Sequence, residues 1–437
     1  MAEIVPFRGV LYDPAKVGDI SRVVSPPYDV IGPTEQADFY NRHSCNIVRL
    51  ELGWDEPGDT VGANRYTRAK AYLEEWLRKG DLRRDNRPGI YLYAIQYRPP
   101  SGEELTMCGF LSLVTLEEFG TGRIFPHENT RAAAKSDRYQ LLETCRSNFS
   151  PIFSLYSDPE GRIMRVLEKS VDKDKPRIDV TDDDGVRHRM WTVHNEAVLA
   201  EAVALMAPRP LFIADGHHRY ESALRYRNAQ RASQPSADRL PSDLVLMYFS
   251  SLDDAGLTIL PTHRLIHGRL PCPVEEFRKR MTENFTVKEF PFTNATEAAV
   301  RERFLHALRA ARSSKEHVLG MAVHGESQYD LYALNAKGDS KLGASARDRL
   351  DVSLLQQLVL RDAMRMTAHD EERLTYMKDE DAVFRAVAAG DCEMAILLNP
   401  PKITEVKDVA SAGDRMPHKS TYFYPKPLTG LVINKMD

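Results

Sequence analysis

The stretch "ADGHHRYESAL", residues 214–224, follows four apolar residues at 211–214 with an acid, a glycine, two histidines and an arginine. Asp215, His217, His218 and Arg219 fall within five positions. Such a set can bind an anion, accept a proton or ligate a cation. Charged and titratable groups at the end of a buried strand are costly unless a ligand or partner offsets their desolvation. Gly216 permits a tight turn and a close approach of backbone to ligand. The segment "RYESALRYRNAQ" reads as a helix, with Tyr220, Ala223 and Leu224 on one side. A helix that begins at such a turn points N–H groups and a partial positive charge outward, which suits an anion. Arg219 and the histidines add donors at the same place. Taken singly, Asp215 could cap the helix, the histidines could be satisfied polar residues and Arg219 could sit in an ion pair. Taken together they point to a phosphate site with an acid beside it.

Other polar islands offer the same kinds of group. "FPHENT" (125–130) sets His127 and Glu128 after a proline; adjacent His and Glu lack the i, i+4 spacing of a helical zinc pair. Glu128 is a candidate base or magnesium ligand. "KSDRYQLL" (135–142) supplies Lys135, read as surface charge, and Arg138, read as phosphate-facing. "SPPYDVI" (25–31) is stiff, since two prolines fix φ; it could hold Tyr28 and Asp29 in a defined pose near the site or equally form a rigid surface turn. "PTHRL" gives the donor pair His263 and Arg264. "GDRMPHKST" (413–421) has Gly413, Lys419 and Ser420 at P-loop spacing. His418 replaces the second glycine, Pro417 removes a needed N–H, and the helix-then-strand order is reversed, so it is no P-loop. Lys419, Ser420 and Thr421 remain a donor-rich loop that can reach an anion.

These islands need elements to position them. "GIYLYAIQYR" (89–98) and "MCGFLSLVTL" (107–116) read as an antiparallel hairpin across the turn signal "PSGEEL". "PIFSLYS", "DLVLMYFSSL", "HVLGMAVHG", "YDLYAL" and "EMAILLNP" are further strands. "RYTRAKAYLEEWLRKG" (65–80) is an amphipathic helix that Gly80 ends. "VEEFRKRMTENF", "TEAAVRERFLHALRAARSS" and "ITEVKDVASAG" are also amphipathic. Adjacent strands mixed with dispersed helices predict an α+β (mixed α/β) fold. Polar breaks near 158–186, 228–242 and 336–348 could be linkers or surface loops; the chain reads as three regions, 1–157, 158–270 and 271–437, with soft limits, or as one integrated domain.

The 437 residues are 42% hydrophobic and 28% charged, an ordinary globular composition. A net charge of -4 gives no support to nucleic acid as a partner. The first residues lack a signal-peptide pattern and no apolar run spans a bilayer, so a cytoplasmic protein without membrane association is expected. Cys45, Cys108, Cys145, Cys272 and Cys392 are scattered, which predicts free thiols.

"ADGHHRY" before a helix resembles the turn of the ParB/sulfiredoxin superfamily, where "DGxxR" or "GCHR" leads into a helix whose start binds nucleotide phosphates. "SPPYDVI", "FPHENT", "ADGHHRY", "LPTHRLIHG" (260–268) and "MPHKSTYFYPK" (416–426) together resemble a bacterial and archaeal family labelled a domain of unknown function (number 1015). The resemblance implies a ParB/sulfiredoxin-like core with additional strands and helices. It also implies kinship with free-serine kinases. His217 stands where sulfiredoxin chemistry needs a cysteine, so sulfinic-acid repair is not expected.

The expected function is therefore a small-molecule phosphotransferase. L-serine is the first acceptor, ATP, ADP or pyrophosphate the donor, and magnesium the cofactor. Gly216, His217, His218, Arg219, Arg138, Lys419, Ser420 and Thr421 would bind phosphate. Asp215 and Glu128 would be the base or the magnesium ligands, with Asp29, His127, His263 and Arg264 nearby. One phosphate site needs more groups than one turn supplies, so the "FPHENT" and "MPHKST" loops are expected against the 215–219 turn. The alternatives are a non-catalytic nucleotide switch of ParB type and a phosphate-ester hydrolase.

Overall fold

The computed structural model describes residues 3–99, 102–269, 274–314, 316–325, 328–338 and 343–436. Its contacts divide the chain into two units: Met1–Pro126, Thr130–Thr258 and Phe423–Asp437 in the first, His127–Asn129 and Ile259–Tyr422 in the second. Both combine helices with sheets, so the class is the expected mixed α/β.

A nine-stranded sheet organises the first unit. The hairpin is antiparallel, Ile90–Tyr97 against Leu105–Thr115, with Tyr91 opposite Leu111 and Tyr97 opposite Leu105. Leu244–Ser251 pairs antiparallel with the second hairpin strand and parallel with Ile152–Tyr156. Ile152–Tyr156 in turn pairs antiparallel with Leu211–Asp215, the strand that carries the acid. These central strands are buried almost throughout, which explains their near-continuous apolar runs rather than an alternating pattern. Phe110 and Phe249 stack at 5.1 Å within that core.

The helix His217–Ser233 follows the acid-bearing strand and buries Tyr220, Ala223 and Leu224, the side expected to be apolar. The Tyr220 hydroxyl donates to the Glu117 carbonyl at 2.7 Å, which ties the first turn of the helix to a neighbouring loop. The helix Arg65–Lys79 buries Ala69, Leu73 and Trp76 and stops at Gly80 in the left-handed region, as the spacing predicts.

Three regions were expected and the contacts give two units. The polar stretch at 158–186 is internal to the first unit. Ile163 and Leu167 of the helix Arg162–Glu168 enter the main core, and Ile178–Thr181 extends the sheet. The C-terminal residues also rejoin this unit, because Asn434–Lys435 pairs with Ser147–Asn148 and Ile433 bonds with Val10. Polarity there marks surface excursions, and backbone pairing decides membership.

The second unit is built on a six-stranded antiparallel sheet. Its order is Phe285–Glu289, Tyr329–Ala336, Val318–His324, Met394–Leu397, His263–Ile266 and Leu374–Met377. Helices Val274–Asn284, Glu297–Ser314 and Ile403–Ser411 form where amphipathic periodicity predicts them. The π-helix Leu355–Ala363 has no counterpart in the sequence reading.

Among the described residues, no helix is long and apolar enough to cross a membrane. Cys45, Cys108, Cys145 and Cys392 are free thiols, and Cys272 lies outside the described residues.

Candidate functional site

The site in the first unit begins with a bulge. Ile213 lies opposite Ser154, but Asp215 lies opposite Phe153, so Ala214 is an extra residue in the strand. A bulge at a strand end re-aims the next side chain. Gly216 then adopts φ 94° and ψ 27° and serves as N-cap with no side-chain cap bond. The N-cap residue of this 17-residue helix therefore offers no side chain to the first N–H groups.

Two cations converge on the acid. Arg219 Nη2 donates to Asp215 Oδ2 at 2.6 Å, and Lys426 Nζ donates to Asp215 Oδ1. The side chains of Arg219 and Lys426 are each 10% exposed, too buried for these to be weak surface pairs. Lys426 Nζ also lies 3.9 Å from Asp29 Oδ2. Arg219 Nη1 donates to the Pro151 carbonyl at 2.5 Å, while its buried Nε has no hydrogen-bond partner among the described residues.

Burial alone would raise the Asp215 pKa, but Lys426 and then Arg219 outweigh it and hold the carboxyl down at about 2. Asp215 is thus a permanent anion at neutral pH and a poor proton acceptor, which corrects its expected role as a base. It is also a poor magnesium ligand, since each oxygen already accepts from a cation. Among the described residues, no group of three His, Cys, Asp or Glu side chains is placed to hold a metal. Asp215 itself does not fit the role of a magnesium ligand.

Gly216 is required twice. A Cβ there would stand 3.0 Å from Cζ, Nε and Nη2 of Arg219, at a φ that L-residues disfavour. Gly216→Ala is expected to lower unfolding free energy by about 1–3 kcal/mol. Urea unfolding checks this; an unchanged midpoint would contradict the strained turn.

Around this centre the partners are mostly protein. His217 is buried. His218 Nε2 accepts from the Arg131 N–H at 2.9 Å, and burial lowers the His218 pKa, so the ring is neutral at pH 7. Lys135 pairs with Glu221 at 2.8 Å, in keeping with a surface charge. Arg138 was expected to face a phosphate. Instead it is buried, donating to the Glu51 carbonyl at 3.0 Å, to Glu51 Oε1 at 3.1 Å and to Asp137 Oδ2 at 2.7 Å. Its guanidinium stands 4.0 Å from the Tyr28 ring centre. Arg138 therefore seats Tyr28, and with it the stiff segment that carries Asp29.

Two residues escaped the sequence reading. Lys426 closes the "MPHKSTYFYPK" stretch, and only its place in that stretch marks it. Glu51 ends a short helix, Val48–Glu51, and accepts from Ser150 Oγ at 2.7 Å. Nothing in the local pattern of either residue signals a buried charge.

The remaining candidates belong to the second unit, whereas the 215–219 turn belongs to the first. There the "FPHENT" and "MPHKST" segments meet each other. The Met416 N–H donates to the His127 carbonyl at 2.7 Å, and His127 Nε2 lies 2.9 Å from Thr421 Oγ1. The Lys419 N–H donates to Glu128 Oε1 at 3.4 Å, and His418 Nδ1 is 3.6 Å from the same carboxylate oxygen. Ser420 Oγ donates to the Pro417 carbonyl. Lys419 has φ 55°, a left-handed conformation uncommon for a lysine. His263 is buried, accepts the Leu398 N–H on Nδ1 at 3.2 Å, and is pushed by burial down to about 4, so it is neutral. Arg264 donates to the carbonyls of His418 and Lys419 at 3.2 and 3.0 Å.

Residues 4–353 match the model of the family described as "Protein of unknown function (DUF1015)", and the chain belongs to that family. No match was found among curated proteins. Solved structures give distant likenesses. A free serine kinase variant in complex with AMP has 13% identity and a TM-score of 0.37, covering 72% of this chain and 88% of its own. A conserved hypothetical protein from Pyrococcus furiosus has 13% identity and a TM-score of 0.33, with 71% and 90% covered. SbnI with a C-terminal truncation, from Staphylococcus aureus, has 11% identity and a TM-score of 0.34, with 73% and 85% covered. Likeness at this level is too low to define a common fold.

Proposed function

We propose that the 215–219 turn of the first unit binds the phosphates of a nucleotide or pyrophosphate, and that the protein is a small-molecule phosphotransferase. The observation that carries this reading is the sharing of one carboxylate by two buried cations, Arg219 and Lys426, at a helix start with a glycine N-cap. With Asp29 3.9 Å from Lys426, the two cations face two carboxylates, and the helix start adds its own partial positive charge. A bound phosphate meets the helix N–H groups and the two cations, and competes with Asp29 for Lys426. Asp215 then acts as a counter-ion that keeps the two cations in place.

Asp29 is the better base on this reading. It stands beside Lys426 and its side chain is 34% exposed, more open than that of Asp215 at 16%. The acceptor oxygen attacks phosphorus and its proton passes to Asp29. The bond from phosphorus to the leaving oxygen breaks, and its electron pair departs with the donor product. Catalysis of such a loose transfer is mostly positioning and charge neutralisation. The choice of free serine as acceptor, and of Glu128 as a second carboxylate, rests on the sequence resemblance alone.

The test incubates the protein with serine, magnesium ions and ADP, ATP or pyrophosphate, and measures phosphoserine. Asp29→Asn should still bind the donor and form product roughly a hundredfold or more slower, within the range of a lost general base. Tight nucleotide binding with no phosphorylated alcohol would replace the kinase with a nucleotide switch.

A further inference from the structure

The second unit contains a cavity of about 490 Å³, within the size range of small-molecule sites. One wall is the Leu355–Ala363 segment, nine residues in π-helical form. π-helical turns are rare and recur at functional sites. Here the π-helix presents Leu355 and Leu360 as apolar surface and the exposed amides of Gln356 and Gln357 beside them.

Arg264 lines the same cavity, although only 4% of it is exposed. Its Nη1 donates to the Thr262 carbonyl, and its Nη2 to the carbonyls of His418 and Lys419. Three carbonyls occupy three of the five N–H donors of a guanidinium and leave two. Among the described residues, no carboxylate pairs with Arg264, whereas Arg347 and Arg361 on the same wall pair with Asp414 and Asp362. Asp348 also lines the cavity, with its carboxylate accepting the Ser345 N–H at 3.3 Å. A buried cation without a counter-ion is costly, and an anionic ligand supplies one. The Tyr376 ring, 5.4 Å from the Arg264 guanidinium and 37% exposed, offers a flat surface next to that charge.

We infer that this cavity binds a small organic oxyanion, a carboxylate or a phosphate ester, with a planar or apolar body. The charged end pairs with Arg264, and the body lies between Tyr376 and the π-helical wall. This inference is independent of the nucleotide reading, because every group it uses belongs to the second unit.

Calorimetric titration of the full chain tests it with phenylacetate, phenyl phosphate, inorganic phosphate and benzyl alcohol. At least one of the two aromatic anions should bind tenfold or more tightly than inorganic phosphate and than benzyl alcohol. The stronger of the two arms identifies the headgroup. Arg264→Gln and Tyr376→Ala should each weaken that binding at least tenfold, and Gln357→Ala about threefold. Lys426→Met, a change in the first unit, should leave it unaltered. If Arg264→Gln does not fold, Tyr376→Ala and Gln357→Ala decide, since both replace exposed side chains. The inference is overturned if neither aromatic anion binds, or if binding is unchanged in a folded Arg264→Gln or in Tyr376→Ala, or if it disappears in Lys426→Met.

Discussion

Lys426→Met is expected to weaken ADP and pyrophosphate binding by roughly ten- to a hundredfold, the scale of one charge-assisted hydrogen bond. Methionine keeps the length of the side chain and removes the charge. Asp215 then retains Arg219 alone, and with Asp29 nearby the centre falls from neutral to net negative. The same variant has a pH signature. In the wild type the Asp215 carboxyl sits at about 2 against an ordinary 3.8, so its folded-state pKa is depressed. Such a group contributes stability that is fully present above about pH 4 and lost as pH falls toward 2. The linked amount is about 2 kcal/mol. Without Lys426 the Asp215 pKa rises and much of this contribution vanishes. Urea unfolding should therefore show Lys426→Met less stable than wild type at pH 7, with the gap closing toward pH 3. An equal gap at both pH values would remove Lys426 from the carboxylate.

Arg138→Met carries the largest expected stability loss, about 3–5 kcal/mol. The Glu51 side chain is 3% exposed, and Arg138 is the cation that meets it. Removing the guanidinium strands a buried carboxylate and unseats the Tyr28 ring. Burial already raises the Glu51 pKa above its ordinary 4.5, and loss of Arg138 raises it further. A carboxyl with a raised folded-state pKa favours the fold when protonated. Stability of Arg138→Met should thus be greatest near pH 4 and fall as pH rises through the folded-state value, more steeply than in wild type. The double variant Arg138→Met with Glu51→Gln should recover part of the loss, because the amide carries no charge to strand. Failure of that rescue would show that the loss comes from the Tyr28 seat or from packing instead.

The legible parts of this chain are those governed by local rules. The antiparallel hairpin follows from two apolar runs across a turn. The helix Arg65–Lys79 follows from its period and from Gly80. The strand, glycine and helix of the 211–233 segment follow from an apolar run that stops at a turn residue. What was not legible depends on long-range contact. The bulge at Ala214 is set by the register with Ile152–Tyr156, and no residue type announces it. Lys426 reaches Asp215 across 211 positions of sequence. Arg138 looked free for an anion because its partner Glu51 lies 87 residues earlier. Asp215 looked like a base because a carboxylate beside a glycine turn is read without its cations. Charge pairing at distance decided all three.

The central claim is that phosphates settle on the first turn of the 217–233 helix. Amide hydrogen exchange of the full chain, with and without saturating ADP, addresses it most directly. The N–H groups of His217, His218 and Arg219 precede the first bond that closes the helix, from the Tyr220 N–H to the Gly216 carbonyl. Without ligand the His218 and Arg219 amides should exchange readily, and ADP should slow them while leaving the C-terminal half of the same helix unchanged. ADP that binds measurably without slowing residues 218 and 219 would contradict the account.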